Sequence, residues 1–401
     1  MTLEEIRGMF PQLKEKVYGK RLVYLDNAAT SLRPLSVVQR WEEMSLCYNS
    51  NLHRAVHYMA GKATAAYEEA RDFVGKKMGA DGKGKIIFTS GATASINLVA
   101  HCFGEAVLNE GDEIIIAESE HHSDIVPWQM ACRRKNATIK VLPVDENGYL
   151  RVDLLPGMIR KGRTRLVCVA HVSNVLGIVN PIKGIVSICH SNDCAVLTDG
   201  AQGIVHCLVD VSDLGCDFYV FSGHKVYGVP GTGVLYMSDK WAGILPPYMT
   251  GGEMIDTVRW DGTTFAEAPQ KFEAGTQNIS GVPALVPALE LAGEMEEDPA
   301  VKEYVLDELS RRERIHLFGN PARLSDKVPL FSFTVEGAHH EDLALILDKM
   351  GIAVRSGQMC AEPLMDRFGV TGMLRASFAP YNGMEDAELF IKSLDRAVEM
   401  L

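Results

Sequence analysis

The segment Phe221-Ser222-Gly223-His224-Lys225 puts a lysine directly after a β-rich run and a Ser-Gly-His turn. Such a lysine is fixed on the chain, unlike one on a solvated helix face. An amine held and desolvated in this way can be neutral and nucleophilic, and can form a Schiff base with a carbonyl compound. Taken alone, Lys225 reads more simply as a surface loop lysine, so its neighbours must decide.

Asp199 ends the run Cys194 to Thr198, within Thr198-Asp199-Gly200-Ala201-Gln202. A carboxylate there can pair with the protonated ring nitrogen of pyridoxal 5'-phosphate (PLP) and sustain the ring as an electron sink. Gln202, three residues on, can reach a ring hydroxyl. Equally, an Asp at a strand-to-helix turn can cap the following helix, and burial separates the two readings. Ser90-Gly91-Ala92-Thr93 joins a strand to a helix, where free backbone N–H groups and the helix dipole make a phosphate seat. His121-His122 is a poor metal pair, since adjacent histidines do not easily face one ion and no further ligand set follows; no metal is expected. A histidine ring at a strand end can instead lie flat on a planar cofactor.

These residues need a scaffold, and the hydrophobic pattern supplies one. From about residue 85 to 235, short β-rich runs alternate with helical stretches, as in an α/β fold with a mainly parallel sheet. The predicted strands are Ile86 to Thr89, Glu113 to Ala117, Ile139 to Val144, Arg165 to Ala170, Cys194 to Thr198 and Asp217 to Phe221. Several are continuous apolar runs, as expected for strands covered on both faces. Helices are predicted over Ala94 to Val107, Pro283 to Met295, Val301 to Arg312 and His340 to Lys349, with a terminal one from Glu385 and a strand at Leu330 to Val335. Residues 245–280 read as loop-rich. The division this suggests is a large domain over 21–284 and a smaller α+β domain from 1–20 and 285–401.

Composition narrows the class. The chain has 401 residues, 47% hydrophobic and 23% charged, with a formal net charge of -12. That balance suits a soluble globular protein of more than one domain and disfavours nucleic acid and anionic membranes as partners. The N-terminus shows no apolar signal region and no run approaches the ~18 apolar residues of a membrane span, so a cytoplasmic location is expected. The nine cysteines are scattered and form no CxxC pair, which argues against a disulfide framework or a zinc ribbon.

In order and spacing, the chain resembles the fold-type I PLP enzymes of the aminotransferase class V group, specifically the cysteine desulfurases of the SufS type and the related selenocysteine lyases. The matching segments are YLDNAAT (24–30), NLHRAVH (51–57), FTSGATASINLVA (88–100), EHHSDIVPWQ (120–129), HVSNVLG (171–177) and TDGAQ (198–202). They continue through FSGHKVYGVPGTG (221–233), FEAGTQN (272–278), RSGQMCAEPLM (355–365) and LRAS (374–377). The resemblance implies that Lys225 is the Schiff-base residue, that Asp199 pairs with the pyridine nitrogen and that Gln202 contacts the ring hydroxyl. His121 would stack on the ring and assist proton transfer. Ala92, Thr93, Ser222 and His224 would hold the phosphate, joined by Thr276 of a second subunit, which makes the enzyme a homodimer. Arg375, Asn174, Arg355 and His53 would bind the substrate, a guanidinium fork being suited to a carboxylate.

Cys360 matches the family's nucleophile. Its thiolate, favoured by nearby Arg355, would take sulfur from L-cysteine as a persulfide, release L-alanine and pass the sulfur to a SufE- or SufU-like acceptor. L-selenocysteine would be a second substrate. Two departures stand out. Gln358-Met359 replaces the histidines that usually precede the cysteine, and Gly91-Ala92-Thr93-Ala94 replaces the usual Gly-Thr-Thr-Glu. Related readings are another class V PLP enzyme of kynureninase or epimerase type, with no need for Cys360, and a weakly active PLP-binding partner in a sulfur-transfer assembly.

Overall fold

The computed structural model describes every residue except Asp81, Lys83, Pro321 and Ala322. Its centre is a sheet of seven strands: β1 (Gly84–Thr89), β2 (Glu113–Ala117), β3 (Thr138–Leu142), β4 (Thr164–Ala170), β5 (Ala195–Asp199), β6 (Phe218–Ser222) and β7 (Gly233–Ser238). They lie in the order β1-β7-β6-β5-β4-β2-β3. The pairs β2–β3, β2–β4, β4–β5 and β5–β6 are parallel, while β7 runs antiparallel to both β1 and β6. The six predicted strands are present, with ends shifted by a residue or two. The seventh, β7, lies just beyond the Gly-rich turn at 228–233, whose glycines mask the start of the Gly233–Ser238 run.

Burial on both faces explains the continuous apolar runs. Leu166, Cys168, Leu197, Phe218 and Val220 pack into one core layer. Val167, Val169, Val196, Tyr219 and Phe221 pack into the opposite one. That alternation is the period of two of a strand, with both faces dry. The helices Ala92–Ala106 and His122–Lys135 cover one face; their Phe103 and Trp128 are fully buried and meet edge to face.

A second, antiparallel sheet is built by β8 (Ile315–Phe318), β9 (Leu330–Val335), β10 (Arg355–Gly357) and β11 (Met373–Ser377), in the order β8-β9-β11-β10. The helices His340–Lys349 and Met384–Met400 pack on it around Phe331, Phe333 and Phe390. β9 and the helix after it match the sequence expectation. β10 and β11 were not predicted, because one is short and glycine-bearing and the other short with a buried arginine.

The segment Leu25 to Ser31 runs between the two sheets and ties them. Ala28 N–H donates to Ser377 Oγ at 2.9 Å, and Ser31 Oγ accepts from Tyr227 N–H at 2.7 Å. The N-terminal helix Leu3–Gly8 also touches both parts. Ile6 joins the core beneath the large sheet, while Arg7 pairs with Asp386 of the terminal helix at 3.3 Å. In the stretch read as loops, Ile255–Arg259 and Gly262–Phe265 form an exposed hairpin. Among the described residues, no helix is long and apolar enough to cross a membrane.

Candidate active site

The C-terminal ends of β1, β2, β5 and β6 converge on one rim, the place where open α/β sheets bind ligands. The small sheet faces that rim. Between them is a cleft of about 560 Å³, lined by Thr93, His121, Asp199, Ser222 and Lys225 from one side and Arg355, Cys360 and Arg375 from the other. Ala92, Asn174 and His224 also line it. A volume of this order is typical of small-molecule sites.

The helix Ala92–Ala106 starts at the cleft, and the local sequence presses it there. Gly233 of β7 packs so closely on Gly91 that a Cβ at 233 would stand 2.4 Å from the Gly91 Cα. Ser222, at the end of β6, accepts a hydrogen bond from Ala92 N–H at 2.8 Å. The remaining N–H groups of the first turn have no intrahelical acceptor and point an electropositive end into the cleft. Thr93 Oγ1 lies 2.7 Å from Ser123 Oγ, and His224 Nδ1 lies 3.2 Å from Thr30 Oγ1.

Lys225 closes the short 3₁₀ turn Gly223–Lys225 after β6. Burial pushes its amine below the ordinary lysine value, Asp199 opposing and Arg375 reinforcing the shift. Asp199 is buried, and its Oδ1 accepts from Ala201 N–H at 2.8 Å. It thus ties its own turn while also lining the cleft, and it does not cap the helix Gly203–His206 that follows. His121 caps the helix His122–Lys135, with Nδ1 accepting from Ser123 N–H at 3.1 Å. The acceptor role at Nδ1 leaves the ring proton on Nε2.

Three histidines around the cleft stay neutral. Burial, with Lys225 adding, lowers His121 to about 4. Burial and Lys225 do the same to His224, and burial alone to His171. Each folded value lies below the unfolded value of about 6.5, so the unfolded chain binds more protons between them. Stability therefore falls as pH drops from about 6.5 towards 4. We expect the thermal midpoint of the cofactor-free protein to fall by several degrees over that window, and less steeply in His171→Gln. A flat midpoint would contradict neutral histidines.

At the other wall, Arg355 and Arg375 stand directly opposite in the β10–β11 pair. Like charges so placed repel, and Asp26 answers both. Arg355 Nη2 reaches its Oδ2 at 2.7 Å, and Arg375 Nη2 its Oδ1 at 3.5 Å. Arg375 is buried and also donates Nη1–H to the Asn174 carbonyl at 2.8 Å. Burial lowers its value to about 10, which leaves it cationic at neutral pH. Its buried Nε has no hydrogen-bond partner among the described residues.

Cys360 is exposed on the loop after β10. Met359 and Cys360 have φ of 54° and 56°, two successive left-handed residues that lack glycine's freedom. The loop is pinned into this shape. Asn174 Nδ2 donates to the Met359 carbonyl at 2.9 Å, and His122 N–H to the Cys360 carbonyl at 2.7 Å. The His122 ring accepts from Glu362 N–H at 3.1 Å. Of the two departures beside the cysteine, Gln358 donates to Glu362 Oε1 at 3.3 Å and Met359 is buried in the main core.

Three expected residues are not brought to this chain's cleft. Gln202 is buried just behind it and donates to the Ala28 carbonyl at 2.8 Å. His53 is exposed and pairs with Glu68 at 2.9 Å. Thr276 is exposed on the surface. The structure adds residues that sequence reasoning missed as contributors: Asp26 between the arginines, His122 as a clamp on the cysteine loop, and the buried carboxyls Glu120 and Asp124. No spacing signals them, since their roles arise from contacts between distant segments.

The family signature described as Aminotransferase class-V matches residues 23–390. A probable cysteine desulfurase of Halalkalibacterium halodurans is 42% identical across 100% of this chain and 98% of its own length. Among solved structures, a cysteine desulfurase from Escherichia coli superposes with a TM-score of 0.90 at 38% identity, covering 100% of this chain and 99% of that one. The apo cysteine desulfurase from Thermococcus onnurineus NA1 gives 0.93 at 34% identity, covering 99% and 98%. Enzymes of this family use PLP. With its mostly parallel central sheet, its cleft at the strand ends and these similarities along its whole length, the chain belongs to the aminotransferase class-V family, among the cysteine desulfurases.

Proposed function

We propose that this protein converts L-cysteine to L-alanine and carries the sulfur as a persulfide on Cys360. The observation that supports this most strongly is the exposed Cys360, held by a pinned loop on the same cleft as Lys225, Asp199 and Arg375. The cleft fits PLP. A desolvated amine suits its aldehyde, a buried carboxylate its ring nitrogen, and a helix N-terminus with Ser222, Thr93 and His224 its phosphate. When bound, the cofactor supplies an electron sink for bonds at the substrate's Cα and Cβ.

The chain's own residues do the rest. Lys225 anchors the cofactor and moves the proton at the substrate Cα. Neutral His121 stacks on the ring and holds a proton on Nε2 toward the cleft. Arg375, steadied by Asp26, takes the substrate carboxylate, with Asn174 and Arg355 alongside. The Cys360 thiolate attacks the substrate sulfur; the S–S bond forms as the C–S bond breaks, and protonation of the carbon completes alanine. L-selenocysteine is the proposed second substrate, selenium being the easier leaving atom.

We place the reaction in a cytoplasmic homodimer. Thr276 and His53, exposed here, are assigned to the neighbouring subunit's site. The protruding hairpin, with Val258, Trp260 and Phe265 exposed, offers apolar surface for that contact. A SufE- or SufU-like carrier is the proposed acceptor. Incubation of the purified protein with L-cysteine and a reductant should release alanine and sulfide in equal amounts, faster when such a carrier is added. Alanine without sulfide would remove the reading.

His122 tests the loop clamp. His122→Ala removes the hydrogen bond to Glu362 N–H, worth about 1 kcal/mol or roughly fivefold in loop population. Sulfide release should fall roughly fivefold with cofactor content and visible absorption unchanged. Loss of the cofactor instead would show that His122 supports the cleft floor rather than the loop.

A further inference from the structure

Beneath the cleft floor lie two carboxyls to which the reaction above gives no task. Glu120, just before the helix His122–Lys135, and Asp124, in its first turn, are both fully buried. Glu120 Oε1 accepts from Ala170 N–H at 2.8 Å. Asp124 Oδ1 accepts from the Cys168 thiol at 3.4 Å, and among the described residues no donor reaches its Oδ2 or the Glu120 Oε2. Cys168 lies two residues before Ala170, whose cross-strand partner is Asp199, so the Asp124 carboxyl comes into contact with Asp199, the member of this trio that lines the cleft.

Two ionised carboxylates cannot make that contact, because both are acceptors and both are negative. One proton between them resolves the conflict. The surroundings say which residue holds it. Asp199 has the Ala201 N–H and faces Lys225. Asp124 has a thiol on one oxygen and two further carboxyls, Asp199 and Glu120, as neighbours. Burial first, then those neighbours, push Asp124 well above the ordinary carboxyl range. The remaining groups do not reverse this: burial pushes up Glu120 and Cys168 themselves, neutral His121 carries no charge to offset, and burial holds the Lys225 amine down.

We propose that Asp124 is a positioning residue whose protonated carboxyl donates a hydrogen bond to Asp199, aiming that carboxylate at the cleft and leaving it the ionised member of the pair. A carboxyl kept neutral by its surroundings so that it can donate is a known device of enzyme sites. Here it fixes the orientation of the group that meets the cofactor's ring nitrogen. In this last respect the proposal rests on the PLP reading, although the proton itself does not.

Asp124→Asn keeps the shape and a donor; Asp124→Leu keeps the bulk and removes both. Infrared spectra of the cofactor-free protein at neutral pH should show protonated-carboxyl C=O absorption, to which buried Glu120 also contributes, and Asp124→Asn should remove one component of it. After reconstitution, the affinity of Asp124→Asn for PLP should stay within about threefold of wild type. That of Asp124→Leu should fall at least about tenfold. An unchanged infrared band in Asp124→Asn would overturn the proposal, as would a loss of PLP affinity in that variant equal to the loss in Asp124→Leu. If Asp124→Leu does not fold, the two Asp124→Asn measurements decide. Failure of the cofactor reading is distinguished by a wild type that does not bind PLP while its infrared band is present.

Discussion

The Lys225→Ala variant is expected to lose the visible absorption of the lysine-linked cofactor and to retain no more than about a thousandth of the wild-type rate of alanine release. Two functions disappear together. The amine that anchors the aldehyde is gone, and so is the base placed to move the proton at the substrate Cα. The fold should survive, because Lys225 ends a short 3₁₀ turn and contributes no core packing, while Gly223 and Val226 beside it stay buried. Absorption spectra and alanine assays on reconstituted protein check this. A variant that keeps the wild-type visible band would take Lys225 out of the anchoring role.

Cys360→Ser separates the cofactor from sulfur transfer. Cys360 sits on the wall opposite Asp199 and the helix N-terminus, so the visible band should be unchanged. Persulfide formation needs a thiolate, and a serine hydroxyl can neither form an S–S bond nor ionise at neutral pH. Sulfide release is expected to fall by about three orders of magnitude, the scale seen when an activated nucleophile is removed. Wild-type sulfide release from Cys360→Ser would exclude Cys360 as the acceptor.

Much of the scaffold was legible because both-sided burial leaves a strong sequence trace. RLVCVA and CAVLT read as covered strands, and they are β4 and β5. Strand β9 and the helix His340–Lys349 were readable for the same reason, through alternation and 3.6-residue spacing. β7, β10 and β11 were not, since glycines or a buried arginine interrupt each pattern. Lys225, Asp199, His121, Arg375 and Cys360 could be named from motif order, and the structure gathers them at one cleft.

What could not be read is the wiring between segments far apart in the chain. Asp26 neutralises two arginines more than three hundred positions away, Asn174 holds the loop just before Cys360, and His122 holds it at and just after Cys360. Gln358-Met359, which stands where the histidines usually precede the cysteine, divides between surface and core, Gln358 being exposed and Met359 buried. One staples the loop through Glu362 and the other fills the core beneath it. The burial of Glu120 and Asp124 likewise depends on the start of the helix His122–Lys135 meeting Cys168 and Ala170 of β4, which no spacing reveals.

The most direct test of the central claim is the intact mass of the wild-type protein after one turnover with L-cysteine in the absence of reductant. The account predicts a gain equal to one sulfur atom per chain, located by peptide mapping at Cys360, with one alanine released for each. Alanine formation with no added sulfur at Cys360, or sulfur carried on another cysteine, would contradict it.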